Sequence, residues 1–383
     1  MDIFAAIERE QARQRDSINL IASENQVSER VLKALGTVLM NKYAEGYPGK
    51  RYYGGCVNVD AIESYACELA QKLFGADHAN VQPHSGTQAN MAAYLTLLKP
   101  GDKVLAFSLA HGGHLSHGAP FNFSGQFYNF VHYGVNKETG LIDEDEIHAQ
   151  FKANPDIKLM VAGASSYPRA IDFERLGGIA KSHGAMLMAD IAHISGLVAA
   201  KQHPDPVPYA DAVTMSTHKT IRGPRGGLAM CRKEHAKKLD KAVFPGCQGG
   251  PLEHVIAGKA IMLEEASKPE FVAYIKEVLA AAKELAAALT EINPKRFRVL
   301  TGGTDNHMVL IDVTGEDGLN GQIAEQKLEK AGIYVNKNFI PFDPLPSSIT
   351  SGIRIGTPML VTQGYQASDM REIAEKMDKA LSQ

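Results

Sequence analysis

Ala212-Val213-Thr214-Met215-Ser216-Thr217-His218-Lys219-Thr220 is the stretch that decides the fold. Its first four residues are a short, nearly all-apolar run, the pattern of a strand buried on both faces. Polar groups crowd at the end of that strand, and the glycine-rich Gly223-Pro224-Arg225-Gly226-Gly227 follows. The same pattern recurs on the N-terminal side at Val104-Leu105-Ala106-Phe107, at 158–162 and at 185–189, with helical or loop segments between. Alternation of this kind predicts an α/β fold, a mostly parallel sheet covered by helices on both faces. No repeat of twenty to fifty residues is present, so solenoids and propellers drop out.

Further along, Val272, Ile275, Leu279, Ala282, Ala286 and Leu289 recur at helical spacing, and Asn293-Pro294 ends the run. This long helix marks the domain boundary. Strands at 298–300 and 308–312, a helix near 321–330 and a last helix from about Ser368 then predict a smaller α+β domain. The division expected is an N-terminal arm over 1–30, a large domain over 31–265 and a small domain over 266–383.

Three motifs at strand ends carry chemistry. After Asn80-Val81, the segment His84-Ser85-Gly86-Thr87-Gln88-Ala89-Asn90 opens a helical run, aiming free N–H groups and two hydroxyls at one spot. Such a spot suits phosphate, although from these residues alone a plain helix cap by Ser85 or Thr87 is the commoner reading. Asp190 ends an apolar strand and His193 follows three residues later. A carboxylate there needs a cation or several donors; the pair also fits a capped turn. Lys219 stands at the end of its strand as a candidate imine-forming amine, or as a lysine reaching out from a strand end. Together these three would meet at the carboxyl edge of one sheet. They are the parts that a pyridoxal-phosphate site needs: an anchored phosphate, a carboxylate for the ring nitrogen and a lysine for the Schiff base.

Two other segments are dense in functional groups. Arg354 lies between glycines in the strand-like 351–358, where a planar guanidinium would pair with a substrate carboxylate or with one of the protein's own. The loop 43–55 holds four tyrosines and Glu45 among glycines, the composition of a site-lining segment or of a packed surface loop.

Composition excludes several classes. The 383 residues are 44% apolar and 22% charged, enough for two or three structural units, and the formal charge of -3 gives no field for nucleic acid. No basic N-terminal segment precedes an apolar core and no run of about eighteen apolar residues occurs, so a cytoplasmic protein without membrane partners is expected. Cys56, Cys67, Cys231 and Cys247 are far apart and read as free thiols. His111, His114 and His117 are close, but without a helical pattern or adjacent carboxylates they do not read as a metal site.

With these residues in view, the chain resembles serine hydroxymethyltransferases from Ile21 almost to its end, in the stretches 41–55, 82–90, 110–115, 217–220, 223–227, 249–254 and 301–307. The resemblance implies the aspartate-aminotransferase type of fold (fold type I) with a seven-stranded sheet. It implies reversible transfer of the serine hydroxymethyl carbon to tetrahydrofolate, giving glycine and methylenetetrahydrofolate. By matching motifs, Lys219 would carry pyridoxal phosphate as a Schiff base, Asp190 would pair with the ring nitrogen and His114 would stack on the ring. His193 and Ser165 would contact the phenolate oxygen. Ser85, Gly86 and Thr87 would hold the phosphate, with Ser216 and His218 beside it and Tyr43 and Gly250 reaching it from a neighbouring subunit of a homodimer. Arg354, Ser23 and Tyr53 would bind the substrate carboxylate. Glu45 would be the acid–base group, and Leu109, Gly113, Leu115 and Asn338 would lie along the folate.

Two departures accompany the resemblance. Ser216 stands in what is usually a run of threonines, with a small effect expected because it keeps a hydroxyl. Family members usually continue past the equivalent of Leu381, which makes small-domain stability and folate affinity the least secure expectations. Rival activities on this scaffold are α-methylserine transfer and threonine-type aldol cleavage. A non-catalytic binding protein on the same fold, one holding RNA for instance, is disfavoured by the presence of Lys219, Asp190, Glu45 and Arg354 together.

Overall fold

The computed structural model describes residues 1–316 and 318–383. Two compact units emerge: one formed by Val27–Ser165 and Ala170–Ile275, the other by Met1–Gln26, Ser166–Arg169 and Lys276–Gln383.

The first unit is built on a seven-stranded sheet. In chain order its strands are β1 (His78–Asn80), β2 (Lys103–Phe107), β3 (Asn129–Tyr133), β4 (Ile157–Ala162), β5 (Met186–Asp190), β6 (Ala212–Ser216) and β7 (Gly227–Cys231). Their spatial order is β1-β7-β6-β5-β4-β2-β3. The block from β6 to β3 is parallel, whereas β7 runs antiparallel to both β6 and β1. Because β5 and β6 run side by side, Asp190 pairs in register with Thr214, and the ends of both strands open on the same edge. All five residues of β6 and of β7 are buried, as an interior strand between two helical layers requires. Helix α1 (Val57–Phe74) stops at Gly75, a left-handed residue (φ 73°) that a glycine adopts without strain. Helix α2 (Gly86–Leu97) starts at the end of the segment that follows β1.

The sequence signals for β2, β4, β5 and β6 coincide with observed strands. The antiparallel β7 is a difference: its residues Gly-Leu-Ala-Met-Cys follow directly on the glycine-rich turn and have little β-propensity of their own, so burial between β1 and β6 determines them.

The second unit carries a four-stranded antiparallel sheet of β8 (Arg298–Val299), β9 (Met308–Asp312), β10 (Asn336–Asn338) and β11 (Gly352–Gly356), in the order β8-β9-β11-β10. Strand β8 is one residue shorter than predicted, because Leu300 begins a tight turn in which Thr301 takes a positive φ of 57°. The C-terminal helix Met370–Ser382 turns Met370, Ile373, Ala374, Met377, Ala380 and Leu381 inward at helical spacing. The long helix Pro269–Ile292 is present: of its predicted inward positions Ile275, Ala282, Ala286 and Leu289 are buried, Val272 and Leu279 are only half-buried, and Val278 and Leu285 are buried beside them. Ala281, Ala282 and Ala286 are small enough to let neighbouring elements pack closely on that face.

Candidate active site

At the carboxyl edge of the large sheet lies a cavity of about 240 Å³. It is lined by residues from the α2 start (Ser85, Gly86, Thr87, Asn90), the segment after β2 (His114, His117), the end of β4 (Ala164, Ser165), β5 (Asp190, Ala192) and β6 with its following loop (Ser216, His218, Lys219, Arg225). The three strand-end motifs therefore do converge, as the sheet topology demands.

At the helix start, Ser85 Oγ accepts the Gln88 N–H at 3.2 Å. Cap and anion cradle, the two readings of this segment, are compatible: the hydroxyl satisfies one N–H, and Gly86 and Thr87 of the same first turn line the cavity. Gly86 is needed for closeness, since a Cβ there would come within 2.6 Å of Ser216 Oγ.

Asp190 is 7% exposed and is held by three donors. Ala192 N–H donates to Oδ1 at 3.0 Å; Asn90 Nδ2 at 2.8 Å and His117 Nε2 at 3.0 Å donate to Oδ2. A carboxylate can only accept, so His117 carries its proton on Nε2. Burial acts to raise the Asp190 pKa, but the His117 hydrogen bond and charge, with His114 and Asn90, outweigh it and hold the group well below the usual carboxylate range. Asn90 is itself fixed by the Thr214 hydroxyl and donates to Ser116 Oγ, which lies 2.7 Å from His114 Nδ1. A single polar network thus runs from β6 through Asn90, which branches to Asp190 and, by way of Ser116, to the His114 imidazole.

His218 contributes a different feature. Its Nε2 sits 3.3 Å from Arg225 Nη1, and a guanidinium only donates, so the imidazole proton resides on Nδ1. That Nδ1 is buried without a partner among the described residues. Burial, and then the charges of Arg225 and Lys219, push the imidazole down to about 4, leaving it neutral at physiological pH. His218 thus enters the cavity lining as a neutral imidazole beside the Arg225 guanidinium.

Other predicted residues lie elsewhere. His193 is buried beyond Asp190, where its carbonyl accepts from Thr220 Oγ1 at 2.8 Å; the cavity lining at this turn comes from Ala192. Tyr43, Glu45, Tyr53 and Gly250 form a second cluster in the same unit. The Tyr43 and Tyr53 rings are 5.0 Å apart, a Cβ on Gly250 would lie 3.1 Å from the Tyr43 ring, and one on Gly249 would lie 3.3 Å from Glu45 Oε1. None of that cluster lines the Lys219 cavity. Leu109 and Leu115 are partly exposed on the segment after β2, where Gly113 packs so tightly that a Cβ would meet the Phe107 carbonyl at 2.2 Å.

In the second unit, Arg354 on β11 is 9% exposed and donates through Nε and Nη2 to Asn336 Oδ1 at 3.1 and 3.0 Å. Burial lowers its pKa to about 10, so it remains a cation at neutral pH. Asn338 lies on β10 and donates to the Phe339 carbonyl, and Ser23 sits in a turn near the N-terminus.

His117, Asn90, Thr214 and Arg225 had not been singled out by sequence reasoning. Asn90 falls one helical turn after Gly86, on the face of α2 that looks back along the sheet edge, a signal readable from spacing. His117 had been grouped with His111 and His114, but the three imidazoles turn to separate partners: Val135 N–H for His111, Ser116 for His114 and Asp190 for His117.

A buried, strongly acidic carboxylate and a lysine at adjacent strand ends, facing an anion-ready helix start on a mixed seven-stranded sheet, define a fold type I pyridoxal-phosphate enzyme. The family model for serine hydroxymethyltransferase matches residues 1–377 of 383, and the chain belongs to that family of pyridoxal-phosphate-dependent, folate-using one-carbon transferases. Among the described residues, no helix is long and apolar enough to cross a membrane.

Proposed function

We propose that this chain transfers the hydroxymethyl carbon of serine reversibly to tetrahydrofolate, producing glycine and 5,10-methylenetetrahydrofolate. The observation that carries the proposal is the cavity in which Lys219, Asp190, His114 and the Ser85–Thr87 helix start face one another. The donor set fits pyridoxal phosphate: the α2 start at Ser85–Thr87, with the Arg225 guanidinium in the same lining, suits a phosphate, and an ionised Asp190 suits a protonated ring nitrogen. When bound as a Schiff base to Lys219, the cofactor supplies an electron sink for bond cleavage at the substrate's α-carbon.

The remaining work falls to side chains. Asp190, fixed by Asn90 and His117, keeps a negative charge opposite the ring nitrogen. His114 and Ser165, both in the cavity lining, would stack on the ring and hold its phenolate oxygen, and His193, buried outside the lining, would support that oxygen from behind Asp190. Arg354 pairs with the substrate carboxylate, helped by Ser23 and Tyr53. Glu45 moves a proton at the serine hydroxyl, and Leu109, Gly113, Leu115 and Asn338 border the folate.

A homodimer with shared sites accounts for the separation between the Tyr43–Glu45–Tyr53–Gly250 cluster and the Lys219 cavity in one chain: each cluster serves the cavity of a second copy. A cytoplasmic location fits this reading. The test is an assay of purified protein with serine, with and without tetrahydrofolate, and with α-methylserine as comparison. Folate-dependent glycine formation from serine is expected. Turnover of α-methylserine alone, or cleavage indifferent to folate, would overturn the assignment.

A further inference from the structure

Helix Glu253–Ala266 is buried on most of its surface, yet its second turn places a lysine in the interior. Lys259 is 1% exposed, and its ammonium donates to three backbone carbonyls: Val81 at 2.6 Å, Pro83 at 2.9 Å and Gly227 at 2.7 Å. Three acceptors use all three N–H groups of an ammonium, whereas a neutral amine has only two. Burial pulls the group down to about 7, and the Glu63 carboxylate works against that.

The position of these carbonyls gives the lysine its meaning. Val81 and Pro83 belong to the segment between β1 and Ser85, and Gly227 is the first residue of β7, downstream of the Lys219 loop. Pro83 O also accepts the Gly227 N–H at 3.0 Å, and Gln248 holds the same segment by donating to Gln82 O at 3.0 Å and accepting from His84 N at 2.9 Å. Gly227 lies so close to the helix start that a Cβ on it would meet Ser85 O at 2.2 Å. Lys259 is therefore tied to both sides of the cup without lining the cavity.

We infer that Lys259 is a positioning residue, which fixes the segment 81–86 against β7 and so sets the Ser85–Thr87 cup in the geometry that receives the cofactor's phosphate. The inference rests on the reading of that cup as the phosphate site. A preorganised set of donors binds its anion without rearranging, so loosening the strut weakens recognition of the phosphate more than of the ring.

The experiment compares pyridoxal phosphate with pyridoxal, which has the same ring and aldehyde but no phosphate, by equilibrium binding to the full chain freed of cofactor. Lys259→Met, Lys259→Gln and Ser85→Ala are measured beside the parent. Lys259→Met should reduce the preference for the phosphorylated form about tenfold or more while pyridoxal affinity changes little; Lys259→Gln, which still donates to two carbonyls, should fall between. If the Met variant does not fold, the Gln variant carries the comparison. Equal weakening of both ligands, or an unchanged preference in the Lys259 variants while Ser85→Ala lowers it, would overturn the role of Lys259 and leave the cup intact. A parent with no preference, or Ser85→Ala without effect on it, would overturn the cup and the inference with it.

Discussion

Asp190 and Glu253 are both buried carboxylates of the first unit, and their surroundings drive them in opposite directions. Asp190 receives three hydrogen bonds and stays ionised. Glu253 is 1% exposed, neither of its oxygens has a hydrogen-bond partner among the described residues, and the Arg51 guanidinium is 3.9 Å away. That guanidinium is already committed to Asp60 at 2.8 Å and Glu63 at 2.7 Å. Burial first, and then the Glu63 charge, push Glu253 up to about 8. Burial alone thus does not decide the charge of a carboxyl; the donors arranged around it do. Donors that converge on one carboxylate mark the site, and their absence marks a group that stores a pH dependence instead.

The largest test of this contrast is Asp190→Asn. The amide cannot balance a protonated ring nitrogen, and transfer from serine should fall by about 10²–10³-fold with the fold intact by circular dichroism. Near-normal turnover would break the contrast at its functional end.

Glu45 is a third carboxyl of the same unit, half-buried beside Gly249. Glu45→Gln should lose about 10²-fold in folate-dependent transfer while serine still alters the cofactor's visible spectrum, because binding needs no proton there. A variant with normal transfer would make Glu45 structural.

Asn90→Ala removes one of the three Asp190 donors and leaves the other two. The expected cost is smaller, about tenfold in transfer, with the acid limb of the pH–rate profile moved to higher pH as the Asp190 carboxyl is less well held. An unchanged acid limb would detach Asn90 from the charge of Asp190.

For Glu253 the prediction concerns stability. Its carboxyl titrates near the ordinary 4.5 when unfolded and near 8 when folded, so between these values the folded chain holds the extra proton. The contribution is complete below about pH 4.5 and is lost as pH rises through about 8. Glu253→Gln should therefore match the parent near pH 5 and exceed it by about 1–3 kcal/mol near pH 9 in urea unfolding. Parallel curves across that range would contradict the elevated value.

Much of the site was legible because strand ends carry it. Asp190 and Lys219 each follow an apolar run, and the parallel arrangement brings those ends together whatever the exact strand order. The donors that hold Asp190 were less legible, since a histidine seventy-three positions away and an asparagine on another helix become neighbours only through the sheet. Lys259 left one trace, a lone cation within the apolar Val255-Ile256 to Met262-Leu263 run, which by itself suits a lysine at the edge of a helix face as well as one inside. Strand β7 was hidden because Gly, Ala and Cys fit an interior strand by their size and not by propensity.

The central claim is that Lys219 carries the cofactor at the end of β6. Borohydride reduction of the purified, yellow protein followed by peptide mapping tests it directly. The account predicts one modified peptide, with the reduced pyridoxyl group on Lys219; a label on any other lysine, Lys259 included, or no bound cofactor at all, would contradict it.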